Sequence, residues 1–123
     1  MTWNNSDLET IASADELEIS PQRRDGSLRR PTTVWVVRDG DELYVRSWRG
    51  GDGAWWRTAH SSHAGRVTAG GVTKDVVFTD ENDAAVNDRV DDAYRTKYQR
   101  YSAYVGPMVA DPARATTLRL TPQ

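Results

Sequence analysis

Two β-forming runs on either side of an Asp-Gly step constrain this chain more than any other feature. Residues 32–38 and 43–48 are rich in β-branched and aromatic side chains, and Asp39-Gly40 lies between them. A two-residue turn there sets Val36 opposite Leu43 and Val34 opposite Val45 on one face. On the other face it sets Trp35 opposite Tyr44 and Thr33 opposite Arg46. Large apolar groups then occupy both faces, which a sheet with one wet side does not need. The hairpin is therefore expected to be covered twice, by a barrel interior and by a helix or a second subunit.

The remaining elements follow from the same periodicities. Ser6-Asp7-Leu8-Glu9 has the form of a capping box, and Leu8, Ile11 and Ala12 repeat at helical spacing, so a helix is expected over residues 7–14. Leu17 and Ile19 alternate with polar residues and suggest a short edge strand. Residues 21–28 read as a loop. Residues 49–53 form a glycine-rich loop, and residues 54–61 can make two helical turns. A second hairpin runs over residues 66–69 and 72–78 around Gly70-Gly71, which puts Arg66 opposite Asp75. Its Val67, Ala69, Val72, Val76 and Phe78 share one face. A long helix is expected over residues 83–101, with Val86, Val90, Ala93, Tyr94 and Tyr98 as its apolar stripe. Gly106, Pro107 and Asp111-Pro112 mark an irregular stretch before a last strand over residues 116–120. About six short strands, one long helix and one or two short helices describe a β-rich α+β fold, a small antiparallel barrel with helical cover.

A length of 123 residues suits one domain spanning residues 1–123. Without cysteine there is neither a disulfide framework nor a thiolate metal site. No basic start with an apolar run opens the sequence and no stretch is apolar enough to span a membrane, so a cytoplasmic location is expected. The net charge of −2 argues against a nucleic-acid binder. Its distribution is uneven. Residues 1–22 carry Asp7, Glu9, Asp15, Glu16 and Glu18 and no base, whereas residues 23–66 carry nine arginines against five acids. The only lysines are Lys74 and Lys97. Arginine favours planar, bidentate contact with phosphate or carboxylate and stacks on aromatic faces.

Chemistry concentrates in that basic zone. Arg46-Ser47-Trp48-Arg49-Gly50-Gly51 is followed by Trp55-Trp56-Arg57, and Arg29-Arg30-Pro31 opens the neighbouring strand. A strand end running into glycines can present unobstructed backbone N–H groups. Arginines and a serine hydroxyl nearby can hold a phosphate, and an indole offers a flat face to a conjugated ring. The opposing reading makes Trp55 and Trp56 core residues, with Arg46 and Arg57 as their surface partners. His60 and His63 sit three apart but have no strong third ligand nearby, which favours an exposed loop over a metal site. Among Tyr94, Tyr98, Tyr101 and Tyr104 one phenol could serve as a proton donor, though helical spacing favours packing for the first two. Asp88, Asp91 and Asp92 read as a solvated helix face.

Several of these segments carry a resemblance. Ala14-Asp15-Glu16-Leu17, Arg23-Arg24-Asp25-Gly26, Arg29-Arg30-Pro31, Trp35-Val36-Val37-Arg38, Tyr44-Val45-Arg46-Ser47, Gly70-Gly71-Val72, Tyr94-Arg95-Thr96-Lys97-Tyr98 and residues 114–120 resemble the domain of unknown function 2255 family over nearly the whole chain. More distantly, residues 24–78 are similar to the flavin-binding split-barrel superfamily, especially its deazaflavin-dependent nitroreductase-like branch, through Arg24, Gly26, Arg30, Pro31, Gly50, Gly51 and Trp55. That resemblance implies a split barrel, a homodimer, and a cofactor phosphate held near residues 46–57. The expectation is an FMN- or deazaflavin-binding protein acting as a reductase, with Arg30, Arg46, Ser47, Arg49, Gly50, Trp55, Trp56 and Arg57 as cofactor-binding residues and no catalytic residue assigned. The alternative is a non-enzymatic module for another anionic small molecule or a protein partner.

Overall fold

The computed structural model describes residues 2–123. One sheet of seven antiparallel strands is formed by β1 (Leu17–Pro21), β2 (Thr32–Val34), β3 (Val37–Asp39), β4 (Glu42–Val45), β5 (Ala64–Ala69), β6 (Val72–Asp80) and β7 (Leu118–Pro122). The strands lie in the order β2-β1-β5-β6-β7-β4-β3. β2 and β3 therefore stand at opposite edges, yet only Trp35 and Val36 separate them in the chain. Three peptide steps reach at most about 11 Å, so the sheet must curl until its edges nearly meet. The fold is an α+β split β-barrel.

The split leaves the backbone groups of Val36 without a strand partner, and the helix that covers the opening replaces it. Five helices flank the barrel: α1 (Asn5–Ser13), α2 (Ala54–Ser62), α3 (Ala84–Lys97), α4 (Ser102–Val109) and α5 (Asp111–Arg114). Lys97 Nζ, at the end of α3, donates to Val36 O at 2.6 Å. The next residue, Tyr98, accepts from Val36 N–H at 3.2 Å and donates from the same hydroxyl to Asp15 O at 2.7 Å. Leaving such buried groups unpaired would cost about 1–3 kcal/mol each.

Both faces of the β3–β4 hairpin are covered, as its composition requires. Val36, Leu43 and Val45 point into the barrel core with Leu17, Ile19, Val67, Val76, Phe78, Leu118 and Leu120, and α1 adds Leu8 and Ile11. Val37 and Tyr44 point outward and pack with Val90, Tyr94, Tyr98, Val105 and Met108. The β5–β6 hairpin also forms in the expected register. Arg66 lies opposite Asp75, and their side chains meet at 2.8 Å. Gly70 and Gly71, at φ +58° and +84°, make its turn.

Several expectations need correction. The β3–β4 turn is Gly40-Asp41, with Val37 opposite Tyr44 and Arg38 opposite Leu43. Gly40 takes the left-handed φ of +60° at the first turn position, a place suited to glycine and not to Asp39. The shift is by two residues in register, so each side chain keeps its face. Residues 32–38 are not one strand, because Thr32–Val34 pairs with β1 and not with β4. That pairing makes β1 an interior strand, flanked by β2 and β5, where an edge strand was expected.

Further corrections concern the ends of elements. Asn4, not Ser6, caps α1, its Oδ1 accepting from Asp7 N–H at 2.8 Å. Trp3 anchors the preceding turn by donating its indole N–H to Leu120 O at 2.9 Å. The stretch expected to be irregular is mostly helical. α4 contains Pro107 and ends on a carbonyl, Met108 O, that accepts from Arg46 Nη1 at 3.0 Å. Tertiary contact thus supports a helix that its own residues disfavour. The last strand begins two residues later than expected, because Thr116 and Thr117 turn their hydroxyls back to Ala113 O and Arg114 O. No helix among the described residues is long and apolar enough to cross a membrane.

Candidate functional site

The end of β4 delivers four consecutive residues to the rim of a cleft of about 680 Å³: Arg46, Ser47, Trp48 and Arg49. β2 and Trp35 form one wall, the start of α2 (Gly53 to Trp55) forms another, and Tyr104 and Met108 of α4 close the far side. Arg29 and Glu16 complete the lining. Four of the lining residues are aromatic: Trp35, Trp48, Trp55 and Tyr104. Trp35 stacks on Tyr98 with ring centroids 3.9 Å apart and planes 4° from parallel. Trp48 and Tyr104, 50% and 55% exposed, lie 5.8 Å apart at the mouth. Trp55 contributes its ring from the barrel core, where it is almost fully buried.

The cleft also carries polar groups, among them the Glu16 carboxylate, Thr32, Thr33 and three arginines. Among the described residues, Arg29 and Arg49 make no ion pair. Ser47 is 1% exposed, and its hydroxyl has no hydrogen-bond partner. Gly53 faces it so closely that a Cβ there would lie 2.3 Å from Ser47 Oγ. The N-terminus of α2 has Gly53 at its cap and no side chain bonded to it, so its first-turn N–H groups remain available beside the cleft.

A second cleft, of about 740 Å³, adjoins the first and shares Arg29 and Ala54 with it. Gln22, Arg23 and Arg24 line it from the β1–β2 loop, and Arg57, Thr58, Ser61 and Ser62 from α2.

The residues expected to bind a cofactor separate into distinct roles. Ser47, Arg49 and Trp55 line the aromatic cleft, and Arg57 lines the arginine cleft. Arg30 is exposed and lines neither. Gly50 is buried, at φ +61°, where a Cβ would press on Pro112 O at 3.1 Å. It shapes the loop and does not border the clefts. Trp56 donates its indole N–H to Thr116 O at 2.9 Å and stacks on His60 at 4.5 Å, also outside the clefts.

Arg46 is not the surface partner of Trp55 and Trp56 that the opposing reading expected. Its side chain is fully buried under the cleft, with Nη1 on Asp91 Oδ1 at 2.5 Å, Nη2 on Asn87 Oδ1 at 3.1 Å and Nε on Thr117 Oγ1 at 2.9 Å. Asp91 is accordingly buried, which corrects the solvated helix face expected for it. Arg114 also reaches Asp91, at 2.8 Å. Only Asp88 and Asp92 of that run stay exposed.

The histidines and the buried tyrosines are occupied elsewhere. His60 pairs with Asp80 at 3.0 Å, and His63 contacts Phe78 O at 3.0 Å. Tyr94 and Tyr98 are core residues, and burial pushes both phenols well above the usual range. Burial, helped by the Glu81 carboxylate, pushes Tyr44 up to about 12. Such phenols hold their protons too tightly to act as ready donors.

Trp35, Trp48 and Tyr104 were not named from the sequence among the cofactor-binding residues. Trp48 was within reach of that reasoning, since it lies inside the arginine-rich segment. Tyr104 was weighed only as one of four phenols able to donate a proton, and α4, which carries it to the cleft, was not foreseen.

The barrel is shared with proteins of low sequence identity. A heme-storage protein from Vibrio cholerae superposes with a TM-score of 0.67 at 10% identity, covering 100% of this chain and 92% of its own. An F420-H2 dependent reductase gives a TM-score of 0.64 at 12% identity, over 86% of this chain and 93% of its own. An FAD-binding protein from Mesorhizobium loti gives 0.61 at 12% identity, over 100% and 92%. At such identities the likeness speaks for the fold. Comparison with curated proteins finds no match. The family profile described as "uncharacterized protein conserved in bacteria (DUF2255)" matches residues 7–120, and the chain belongs to that family.

Proposed function

We propose that this protein binds a flat conjugated cofactor with an anionic tail, FMN or a deazaflavin, in the aromatic cleft, and that it works as a reductase with that cofactor. The observation that carries the reading is the buried, unpartnered Ser47 hydroxyl at the edge of an aromatic cleft with two unpaired arginines. A buried polar group without a partner costs about 1–3 kcal/mol, a cost that a ligand able to meet it would offset. Trp48 and Trp35 would flank the ring. Arg29, Arg49, Ser47 and the first turn of α2 would take the anionic group. Gly53 leaves room for the Ser47 hydroxyl itself, since any side chain there would strike it.

Bound flavin or deazaflavin would supply hydride chemistry. The protein's part is to orient and shelter it. Arg46, locked by Asp91, Asn87 and Thr117, fixes the end of β4 and with it the direction of Ser47 and Arg49. The half-exposed Trp48 and Tyr104 would be covered by a second copy of the chain, closing the mouth of the cleft in a homodimer.

The test is titration of purified protein with FMN and with a deazaflavin, followed by cofactor absorbance and tryptophan quenching, beside its native mass. Saturable binding of either, reduced by Ser47→Ala and Trp48→Ala, is the expected result. Absence of any spectral change up to high micromolar cofactor would reject the reading.

A non-enzymatic binding module is the second reading. It is favoured by the buried phenols, which are poorly suited to deliver a proton. Cofactor binding without turnover of any electron acceptor would select it.

A further inference from the structure

Spacing alone favours an exposed loop at His60 and His63, but both rings are held more firmly than a loop requires. His60 Nδ1 lies 3.0 Å from Asp80 Oδ1, and its ring stacks on Trp56 with centroids 4.5 Å apart and planes 13° from parallel. Trp56 is itself fixed by its indole N–H on Thr116 O. His63 Nδ1 lies 3.0 Å from Phe78 O, and Phe78 N–H donates back to His63 O at 2.9 Å. His63 also closes α2 at φ +60°, the one non-glycine residue with a positive φ among the described residues. Glycine or asparagine is the usual choice at such a position. With that backbone the second imidazole comes beside the first, and the ring centroids lie 6.1 Å apart.

These contacts fix the chemistry of both rings. A carboxylate and a backbone carbonyl only accept hydrogen bonds, so each Nδ1 is the donor. In the neutral imidazole Nε2 then carries the free lone pair. Neither Nε2 has a hydrogen-bond partner among the described residues. An oxygen on Nδ1–H is how proteins orient a histidine metal ligand and raise its basicity. At a metal–nitrogen distance of about 2.1 Å, two imidazoles on one ion hold their centroids at most about 6.4 Å apart, and about 5.3 Å apart at a tetrahedral angle. The observed spacing lies inside the first limit and within about 1 Å of the second.

We propose that His60 and His63 bind one borderline transition-metal ion, Cu²⁺, Ni²⁺ or Zn²⁺, through their two Nε2 atoms, with water completing the coordination. Imidazole nitrogen suits these ions and not Mg²⁺ or Ca²⁺, which take oxygen. Asp80 is the positioning residue: its carboxylate sits on the Nδ1 side of His60, so it orients the ligand and does not bind the ion. No group of three or more His, Cys, Asp or Glu able to hold a metal occurs among the described residues, so the chain supplies two ligands and the open positions go to solvent. Neither histidine lines either cleft, and the site does not rest on the cofactor reading.

The experiment is isothermal titration of the tag-free full chain with Cu²⁺, Ni²⁺, Zn²⁺ and Mg²⁺ at neutral pH and fixed ionic strength. Saturable binding of one ion per chain is expected for the first three, tightest for Cu²⁺, and none for Mg²⁺. His60→Gln should lose at least about tenfold of that affinity. Asp80→Ala, which keeps both ligands but frees the His60 ring, should lose about tenfold, and Asp80→Asn, whose amide oxygen still accepts, should lose less. His63→Gly suits the left-handed turn, so it should melt close to the native chain and still lose metal binding, which separates ligation from folding. Failure of all three transition-metal ions to saturate the chain, binding untouched by both histidine variants, or one ion shared by two chains in native mass spectra would overturn the inference.

Discussion

Arg46 and Asp91 meet at 2.5 Å beneath the cleft, the arginine side chain wholly buried and the carboxylate nearly so. The pair joins β4 to α3, and through Met108 O it also holds the end of α4. Removing one partner leaves an uncompensated buried charge, which costs about 3–5 kcal/mol. Asp91→Ala should destabilise by about that amount in urea unfolding. A double Arg46→Met/Asp91→Leu variant should recover only part of the loss, because it removes the stranded charge but also unpairs Met108 O and Asn87 O.

Ser47→Ala should separate stability from function. Its hydroxyl has no protein partner, so deleting it removes a buried unsatisfied group and should leave stability unchanged or raise it by up to about 1 kcal/mol. Cofactor affinity should fall about tenfold or more. A loss of stability with unchanged binding would place the hydroxyl's role in packing.

Gly53→Ala tests the same corner sterically. The new methyl would sit 2.3 Å from Ser47 Oγ, so one of the two must move, at about 1–3 kcal/mol. Combined with Ser47→Ala the clash is relieved. The double variant should therefore be more stable than Gly53→Ala alone, a coupling read directly from a double-mutant cycle.

Two of the cleft tryptophans should respond oppositely. Trp55 is a core residue, and Trp55→Ala should cost about 3–5 kcal/mol. Trp48 is half exposed, so Trp48→Ala should change stability by about 1 kcal/mol or less while weakening ring binding. Thermal melts and cofactor titrations of the pair check this.

Stability should also rise with pH above about 8 and then turn over. Burial pulls Lys97 down to about 8 from its ordinary 10.5, partly opposed by Asp15. Between those values the unfolded chain binds a proton that the folded chain has lost, so raising the pH favours folding. Above pH 10 the sign reverses. The buried Tyr44, Tyr94 and Tyr98 keep their protons in the folded state while the unfolded chain gives them up. Urea midpoints from pH 7.5 to 10 should climb in the native protein and stay flatter in Lys97→Met.

Local pattern carried much of the fold. The Gly70-Gly71 turn with Arg66 opposite Asp75, the α3 stripe and the two-faced apolar hairpin are all short-range or periodic signals, and each formed as its residues dictate. The aromatic and arginine content of residues 29–57 likewise marked the region of both clefts. Other features depend on partners far away in the chain. Thr32–Val34 pairs with β1 because the barrel curls there, and α4 tolerates Pro107 because Arg46 bonds its last turn.

The sequence by itself determined most element types, the faces of the hairpins and the basic, tryptophan-rich character of the middle third, since these follow from side-chain alternation, turn chemistry and composition. Only the tertiary structure decided which arginine is buried and which are free. Arg46 and Arg49 look alike in sequence, three residues apart. One finds Asp91, Asn87 and Thr117 across the fold and becomes a strut, while the other meets no acid and stays open to the cleft. Electrostatic pairing is settled by proximity in space, and no local pattern encodes it.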